Sequence, residues 1–199
     1  MLRKSYSRTE SDYLDWCFEL LEGKTVNLRV MEREDIDFIA EYGNDLRCMG
    51  EYWPDEQRSK SDWVKMFDNL QSSPRDFKVF IIQKKDGTRI GDIHHGLNQP
   101  HELMEIHYWL VQNKRNKGYA TEAVQLMVDY LFLSKELVRV QAIVDVRNKA
   151  SQRVLEKAVF KREGTIRNCY FNRGAWRDYY LFSILREEWK EPKILTKTA

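Results

Sequence analysis

The sequence predicts one α/β (α+β) domain in which a mixed sheet carries helices on both faces. Two strand-like runs in the middle of the chain meet at Asp86-Gly87, a dipeptide typical of tight β-hairpins. A strand, a long helix and a second strand follow over residues 102–146, and a further hairpin pattern surrounds the turn at 172–174. Antiparallel hairpins on either side of a strand–helix–strand unit favour a single mixed sheet packed between helices.

Hydrophobic periodicity predicts the elements in chain order. An amphipathic helix over 10–22 ends at Gly23 and belongs to an N-terminal helical extension of residues 1–23. A single domain covers residues 24–190, and residues 191–199 form a C-terminal tail. The predicted strands are 25–31, two within 77–97, 102–111, 137–146, 163–171 and 176–185, and the predicted helices are 32–45, 59–71, 119–134 and 148–158.

Composition argues against several functional classes. The 33 Lys and Arg against 31 Asp and Glu give no overall positive field, which disfavours nucleic acid as a partner. No stretch reaches 18 uncharged apolar residues and the first residues lack an apolar signal core, so we expect neither a membrane partner nor export. Three widely spaced cysteines predict neither a disulfide framework nor a zinc site, and they fit a reducing, cytoplasmic location.

The start of the helix predicted at 119–134 carries an unusual concentration of positive charge. Lys114, Arg115 and Lys117 come just before a helix N-terminus, which already carries roughly half a positive charge. Gly118 would let backbone N–H groups approach a ligand closely, because it has no Cβ. The strand, turn and helix together predict a site for a strongly negative group, although the turn matches neither a dinucleotide nor a Walker motif.

Residues 115–120, RNKGYA, resemble the R/Q-x-x-G-x-G/A pyrophosphate-binding turn of the GNAT superfamily of acetyl-CoA-dependent N-acetyltransferases. The EIHYWLV strand before this turn is similar to the fourth strand of that family. Residues 148–167 are similar to the N-x-x-S…L-x-K-x-G-F-x-x-E-G segment of its RimJ/RimL-like (ribosomal-protein alanine N-acetyltransferase) branch. The resemblance covers about residues 24–187 and implies a GNAT-type, mostly antiparallel central sheet of about seven strands.

The resemblance also implies acetyl-CoA as co-substrate, no metal, and direct transfer of the acetyl group to an amine in a ternary complex. The phosphates of CoA would lie on the turn, and a backbone N–H near Leu110 or Val111 would bind the oxyanion. The implied cofactor-binding residues are Trp109, Leu110, Val111, Arg115, Asn116, Lys117, Gly118, Tyr119, Ala120, Thr121, Asn148 and Ser151.

Three residues are candidates for the acid–base steps. Leu155 stands where many relatives have a tyrosine that protonates the departing thiolate, so Ser151 on the same helix is our candidate for that hydrogen bond. Glu105 stands where several relatives keep a catalytic glutamate, and on a strand it shares a face with His107. The alternatives are a helix-start hydroxyl for Ser151, a solvent-facing carboxylate for Glu105 and a packed imidazole for His107.

The acceptor amine is predicted to bind near residues 48–56 and Glu105. Tyr52 and Trp53 offer large apolar surfaces in this connection, although the same rings could simply cap the core. His94 and His95 are neighbours on a strand and point to opposite faces, so they cannot both bind one metal ion.

One departure from the family pattern concerns the end of the helix at 148–158. The pattern has Gly before Phe, whereas this chain has Val159 before Phe160. That glycine commonly ends the helix in a left-handed conformation, which a β-branched residue resists. We therefore expect the junction at 158–161 to differ.

The sequence predicts an N-acetyltransferase whose acceptor is a primary amine, either a protein N-terminus or a small amine such as a polyamine, an aminoglycoside or an amino-acid derivative. Two alternatives stay open at this point. One is a transferase that uses another acyl-CoA, and the other is a non-catalytic acyl-CoA-binding or regulatory module. A homodimer is one allowed assembly.

Overall fold

The computed structural model describes residues 21–52, 57–72, 77–98, 103–190 and 192–194. These residues contain one strand more than the seven predicted, because β1 precedes the first predicted strand. The strands are β1 (Leu21–Glu22), β2 (Val26–Val30), β3 (Phe77–Lys84), β4 (Arg89–Asn98), β5 (Leu103–Leu110), β6 (Arg139–Asp145), β7 (Lys161–Asn172) and β8 (Ala175–Leu185).

The helices of the described residues lie close to their predicted positions except for the short helix Leu46–Met49, which was not predicted. None of them is long and apolar enough to cross a membrane. Short 3₁₀ turns at Arg33–Asp35 and Gln112–Lys114 precede α1 and α4. The α-helices are α1 (Ile36–Gly43), α2 (Leu46–Met49), α3 (Lys60–Ser72), α4 (Tyr119–Ser134) and α5 (Lys149–Lys157).

The strands of the described residues form one sheet in the order β1-β2-β3-β4-β5-β6-β8-β7. Neighbouring strands pair antiparallel except β5 and β6, which are parallel. This parallel pair has one bridge within the described residues, between Glu105 and Gln141, after which the two strands diverge toward their carboxyl ends. The mixed, mostly antiparallel sheet is confirmed, and it is open between β5 and β6.

Helices cover both faces of the sheet, as predicted. On one face, Leu126 and Leu131 of α4 and Leu155 of α5 pack into the larger apolar core. On the other face, Phe38 of α1 and Phe67 of α3 belong to a smaller apolar cluster. The gap between β5 and β6 therefore lies between two helical layers.

The predicted helix at 10–22 is wrong at its end. Leu21 and Glu22 form strand β1 and pair with Leu28 and Asn27 of β2, while residues 10–20 lie outside the described residues. The Gly23 N–H donates to the Val26 carbonyl over 3.0 Å, so the chain turns back here as a hairpin. The short alternating run that follows can pair locally, and this tertiary pairing overrides the helical periodicity.

The expected change at the end of α5 is also wrong. Val159 adopts the left-handed conformation with φ 70°, in spite of its β-branched side chain. The Phe160 N–H donates to the Leu155 carbonyl and the Val159 N–H to the Glu156 carbonyl, which is the Schellman pattern. Burial of Phe160 beside Leu155 in the core stabilises the junction although the backbone at Val159 is strained.

The end of the described chain is fastened to α4 by one buried carboxylate. Asp129 is 2% exposed and accepts hydrogen bonds from the Trp189 indole N–H (2.7 Å), the Ile194 N–H (3.0 Å) and the Lys193 N–H. Lys193 and Ile194 therefore contact the same helix that begins at the charged turn.

Candidate active site

The divergence of β5 and β6 opens a cleft of about 910 Å3 that reaches both faces of the sheet. The Val111 N–H donates to the Ile90 carbonyl over 2.9 Å, which places odd-numbered residues of β5 in the ladder with β4. Alternation along an antiparallel strand then turns the N–H and C=O groups of Tyr108 and Leu110 toward β6. Because β6 has moved away at this level, these groups face the cleft.

This arrangement separates the two predicted oxyanion donors. The Val111 N–H is engaged with β4, whereas the Leu110 N–H is directed into the opening between the strands. The Val111 side chain is buried in the smaller core cluster and does not contribute to the described wall of the cleft. Leu110, and Tyr108 one step earlier, hold the backbone donors that a ligand in the cleft could reach.

A tyrosine and a serine meet on the α5 side of the cleft. The Tyr108 hydroxyl lies 2.8 Å from the Ser151 hydroxyl, and both residues line the cleft. Burial raises the pKa of Tyr108, so its phenol stays protonated at neutral pH. The Asn148 side chain accepts a hydrogen bond from the Ser151 N–H over 3.0 Å and caps α5, which holds the serine in place.

Two paired imidazoles lie on the opposite face of the sheet. His107 Nε2 is 3.1 Å from Glu105 Oε1, and the Gln141 amide donates to Glu105 Oε2 over 2.9 Å. His94, directly across the β4–β5 ladder, stacks on His107 with ring centroids 5.1 Å apart. Its Nδ1 lies 3.1 Å from Asp92 Oδ1. The predicted shared face of Glu105 and His107 is confirmed, and His94 and Asp92 extend it to β4.

The charged turn before α4 has two residues in the left-handed conformation, Asn116 with φ 61° and Gly118 with φ 86°. Gly118 is the N-cap of α4 and has no side chain to cap it. A Cβ built on Gly118 would enter space with no described atom within 4 Å. Alternating backbone conformations at an uncapped helix start form a concave set of N–H donors of the kind that binds phosphate.

The Arg115 guanidinium points to main-chain groups of the protein. Its Nε donates to the Leu110 carbonyl over 3.0 Å, and its Nη2 donates to the Cys48 carbonyl. Arg115 thus joins the end of β5 to the end of α2.

The mouth of the cleft is formed by the segment after α2 and the start of α5. Glu51 and Tyr52 line it together with Asp145 at the end of β6. Burial favours a raised pKa for Asp145, but hydrogen bonds from the Arg147 side chain and N–H lower it below the ordinary value. The same guanidinium lies over the Tyr52 ring at 5.3 Å. Trp53 lies outside the described residues.

Most predicted cofactor residues come together at the cleft. Lys117 and Val111 do not line the described part of the cleft. Glu105 does not line it either, but its carboxylate contacts His107, which does. The Trp109 side chain lies on the same face of the sheet as His107, and its ring stacks on Phe38 with centroids 6.0 Å apart. The predicted residues that line the cleft are Trp109, Leu110, Arg115, Asn116, Gly118, Tyr119, Ala120, Thr121, Asn148, Ser151, Tyr52 and His107.

Tyr108 had no signal in the sequence for a place in the site. It lies on the face opposite Glu105, and its approach to Ser151 depends on how α5 crosses β5. Tyr179 of β8 lines the cleft, and burial together with Asp145 raises its pKa to about 12. Tyr180, its neighbour on β8, does not contribute to the described wall. Polar residues on three separate strands could not be grouped without the strand order.

His94 and His95 are the adjacent histidines for which the sequence predicts no shared metal ion. His94 faces the cleft, whereas His95 is fully buried on the other face against Phe80 and Tyr130. The two histidines therefore point apart, as strand alternation predicts. Among residues 21–52, 57–72, 77–98, 103–190 and 192–194, no group of three or more His, Cys, Asp or Glu side chains could hold a metal ion.

Comparison with known proteins gives the family. The family described as "Acetyltransferase (GNAT) domain" matches residues 25–161. The uncharacterized N-acetyltransferase p20 of Bacillus licheniformis is 31% identical over 175 residues, which are 86% of this chain and 98% of that protein. The spermidine N(1)-acetyltransferase of Escherichia coli (strain K12) is 27% identical, over 83% of this chain and 88% of that enzyme.

A solved structure agrees with these sequence matches. The RimJ protein of Mycobacterium smegmatis, in complex with CoA-disulfide, superposes with a TM-score of 0.76 at 25% identity. The match covers 84% of this chain and 85% of that one. A relative with a CoA derivative thus has the fold that forms the cleft described above.

Proposed function

This chain belongs to the GNAT family of N-acetyltransferases, and on that premise we propose that it transfers an acetyl group from acetyl-CoA to a primary amine within a ternary complex. One observation carries the proposal. The opening between β5 and β6 has an anion-binding turn on the α4 side and paired carboxylates and imidazoles on the opposite face. Acetyl donor and amine could therefore approach one another through the sheet.

The residues present fit acetyl-CoA. The turn at 115–118 presents backbone N–H groups at an uncapped helix start, with Lys114 and Lys117 beside it, which suits a pyrophosphate. Asn116, Gly118, Tyr119, Ala120 and Thr121 would hold it mainly through the main chain. When bound, acetyl-CoA supplies the acetyl thioester that the amine attacks.

The backbone donors of β5 would bind the oxyanion that develops during attack. Leu110 and Tyr108 direct their N–H groups into the cleft, where the described residues of β5 and β6 form no bridge beyond Glu105 and Gln141. Preorganised donors of this kind stabilise developing charge strongly because they need no reorganisation. We assign this role to Leu110 rather than to Val111, whose N–H is used by Ile90.

Tyr108 and Ser151 would act as a pair on the departing thiolate. Their hydroxyls share a hydrogen bond of 2.8 Å, so one hydroxyl can donate to sulfur while the other supports it. The pair occupies the role that the family tyrosine, replaced here by Leu155, would otherwise fill. Asn148 holds Ser151 through its N–H.

His107 and Glu105 would accept the proton of the amine. The carboxylate orients the imidazole and stabilises its protonated form, as in other His–carboxylate pairs. The Gln141 amide donates to the second oxygen of Glu105 and so fixes the orientation of the carboxylate toward His107. Glu105 and Gln141 also form the bridge beyond which β5 and β6 diverge.

For the acceptor we favour a single amine, such as a protein N-terminus, over a polyamine. The carboxylates of the described wall are Glu51 and Asp145, and Arg147 is bonded to Asp145 and lies 3.9 Å from Glu51. A polyamine would have to compete with that guanidinium for both carboxylates. The relatives include a spermidine acetyltransferase, so a spermidine assay is a necessary comparison.

Thermal unfolding with and without acetyl-CoA tests cofactor binding. A ligand at about 100 times its Kd stabilises by roughly 2.7 kcal/mol, which should raise the Tm of a chain of this size by roughly 5–10 °C. Gly118→Val should abolish the shift, because its side chain would occupy the open space at the turn and a β-branched residue resists φ 86°. Gly87→Val is the matched control, since Gly87 has φ 80° and equally open surroundings on the β3–β4 hairpin.

A panel of amines then separates an enzyme from a binding module. Release of the CoA thiol with a tetrapeptide, but not without an amine, would support the transferase. A shift with acetyl-CoA and no thiol release with any amine would favour the regulatory module. No shift with millimolar acetyl-CoA would refute the proposed function.

A further inference from the structure

The segment at residues 48–52, here called the acceptor segment, is held by side chains from elsewhere in the chain. The Cys48 carbonyl accepts from Arg115, and the Gly50 carbonyl accepts from Arg173 at 3.4 Å. The Glu51 carbonyl accepts from the Asn172 amide at 3.3 Å, and the Tyr52 carbonyl accepts from the Tyr179 hydroxyl at 3.4 Å. Main-chain carbonyls of the acceptor segment are thus hydrogen-bonded both to Arg115 before α4 and to residues of the β7–β8 hairpin.

These carbonyl groups need partners because α2 is short. The helix ends at Met49, and its own hydrogen bonds run to the carbonyls of Asp45 and Leu46. Gly50 then turns the chain with φ 74°. Carbonyls at the end of a helix have no partner within it, so their donors must come from other elements.

Arg115 supplies one side of this support, and the β7–β8 hairpin supplies the other. Arg115 is the first residue of the turn that we propose holds the phosphates, and its Nε also donates to the Leu110 carbonyl over 3.0 Å. Its guanidinium therefore spans the end of β5 and the end of α2. A planar fork can reach two separate carbonyls, which the single ammonium of lysine does less well.

We propose that Arg115 is a positioning residue that couples occupation of the cofactor turn to order in the acceptor segment. The inference rests on the proposed function, since it requires CoA to bind the turn. A pyrophosphate bound to the N–H groups at 115–118 restricts the main chain of the turn. The Cα–Cβ bond of Arg115, from which the side chain extends, is then also fixed. The Cys48 carbonyl is then held by a fixed donor. Because Glu51 and Tyr52 line the cleft mouth, the amine site becomes complete after CoA is bound.

Hydrogen–deuterium exchange of peptides that cover residues 46–52 tests this coupling without knowledge of the acceptor. In the wild-type protein, saturating CoA should slow exchange of this segment by roughly 5-fold or more, the lower range of typical couplings between sites. In Arg115→Lys the slowing should be lost, while calorimetry still detects CoA binding. Arg115→Gln provides a second variant should the lysine variant fail to fold.

Lys117→Met is the matched control for loss of a cation from the same turn. It should weaken CoA binding, because Lys117 lies beside the proposed phosphates, yet at saturating CoA the segment should still be slowed. This contrast assigns the coupling to the Arg115 fork rather than to the charge of the turn.

The outcomes separate the inference from the proposed function. CoA binding with unchanged exchange of residues 46–52 in the wild type would overturn the inference and leave the proposed function standing. Equal slowing in wild type and in both Arg115 variants would also overturn it. Absence of CoA binding to the wild type by calorimetry would refute both.

Discussion

The Tyr108 hydroxyl lies 2.8 Å from the Ser151 hydroxyl and 3.3 Å from the Ser151 carbonyl oxygen, so hydrogen bonds join β5 and α5 across the cleft. The two residues are 43 positions apart in the chain. A buried phenol with a raised pKa keeps its proton near neutral pH, so it can donate a hydrogen bond to an anion nearby. In the proposed mechanism this pair stabilises the departing thiolate in the absence of the family tyrosine.

Tyr108→Phe should lower kcat by roughly 10- to 100-fold, because general acid groups typically contribute at least that much. The KM for acetyl-CoA should change little, since the ring remains in place. Ser151→Ala should also lower kcat, and the double variant should be no slower than the worse single one, because residues that act as a unit are not additive. Steady-state kinetics with the same peptide acceptor measures all three. Tyr130→Phe, on α4 outside the described wall, is the control, and normal turnover by Tyr108→Phe would remove the pair from the mechanism.

Glu105→Gln should lower kcat/KM for the amine by about 100-fold at neutral pH while acetyl-CoA binding is retained. The substitution preserves shape but removes the charge that lies 3.1 Å from His107 Nε2. Calorimetry with acetyl-CoA and an initial-rate assay measure the two quantities separately. Glu156→Gln, an exposed position of α5, controls for the loss of a negative charge. Unchanged turnover would show that Glu105 is structural.

Val159→Gly should stabilise the protein by about 1 kcal/mol. Left-handed backbone costs a residue with a Cβ about 1–2 kcal/mol, and glycine recovers this less its larger entropy in the unfolded chain. The Val159 side chain is 56% exposed, so little packing is lost. Urea unfolding should give Val159→Gly a larger free energy of unfolding than the wild type. The value for Val159→Ala should lie between these two or close to one of them. A less stable glycine variant would mean that the valine makes a contribution that its exposure does not reveal.

His95 should make the protein less stable in mild acid. The side chain is fully buried, and neither ring nitrogen has a hydrogen-bond partner among the described residues. Burial, together with nearby Lys135 and Lys78, lowers the pKa of His95 to about 4, against an ordinary value of 6.5. Between pH 6.5 and pH 4 the unfolded chain binds a proton that the folded chain does not bind. The free energy of unfolding therefore decreases as the pH is lowered from 6.5 to 4, and it keeps its full value above pH 6.5.

The measurement compares urea unfolding of the wild type and His95→Leu at pH 7 and at pH 4.5. The wild type should lose roughly 2–3 kcal/mol more than the variant, at 1.36 kcal/mol for each pH unit below 6.5. Every other titrating group is common to the two proteins, so the difference isolates His95. Parallel losses in both proteins would exclude His95 as the source.

The sequence by itself determined most of the elements and the position of the charged turn. Apolar residues at helical spacing define α4, and alternation defines β5, because local backbone geometry converts spacing directly into one buried face. Gly118 and the adjacent cations mark the start of α4 in the same local way. Leu21 and Glu22 show the limit, since a partner strand replaced the helix that their own periodicity indicated.

The tertiary structure alone decided the chemistry of the cleft. The loss of pairing after Glu105 and Gln141 depends on where two strands diverge, and no local pattern encodes that point. Tyr108 meets Ser151, His94 stacks on His107, and Arg115 reaches Cys48 because elements distant in the chain are brought within hydrogen-bonding or ring-stacking distance. Such contacts depend on register and helix placement to within about an ångström. Hydrophobic periodicity selects the face of an element but leaves those distances unspecified.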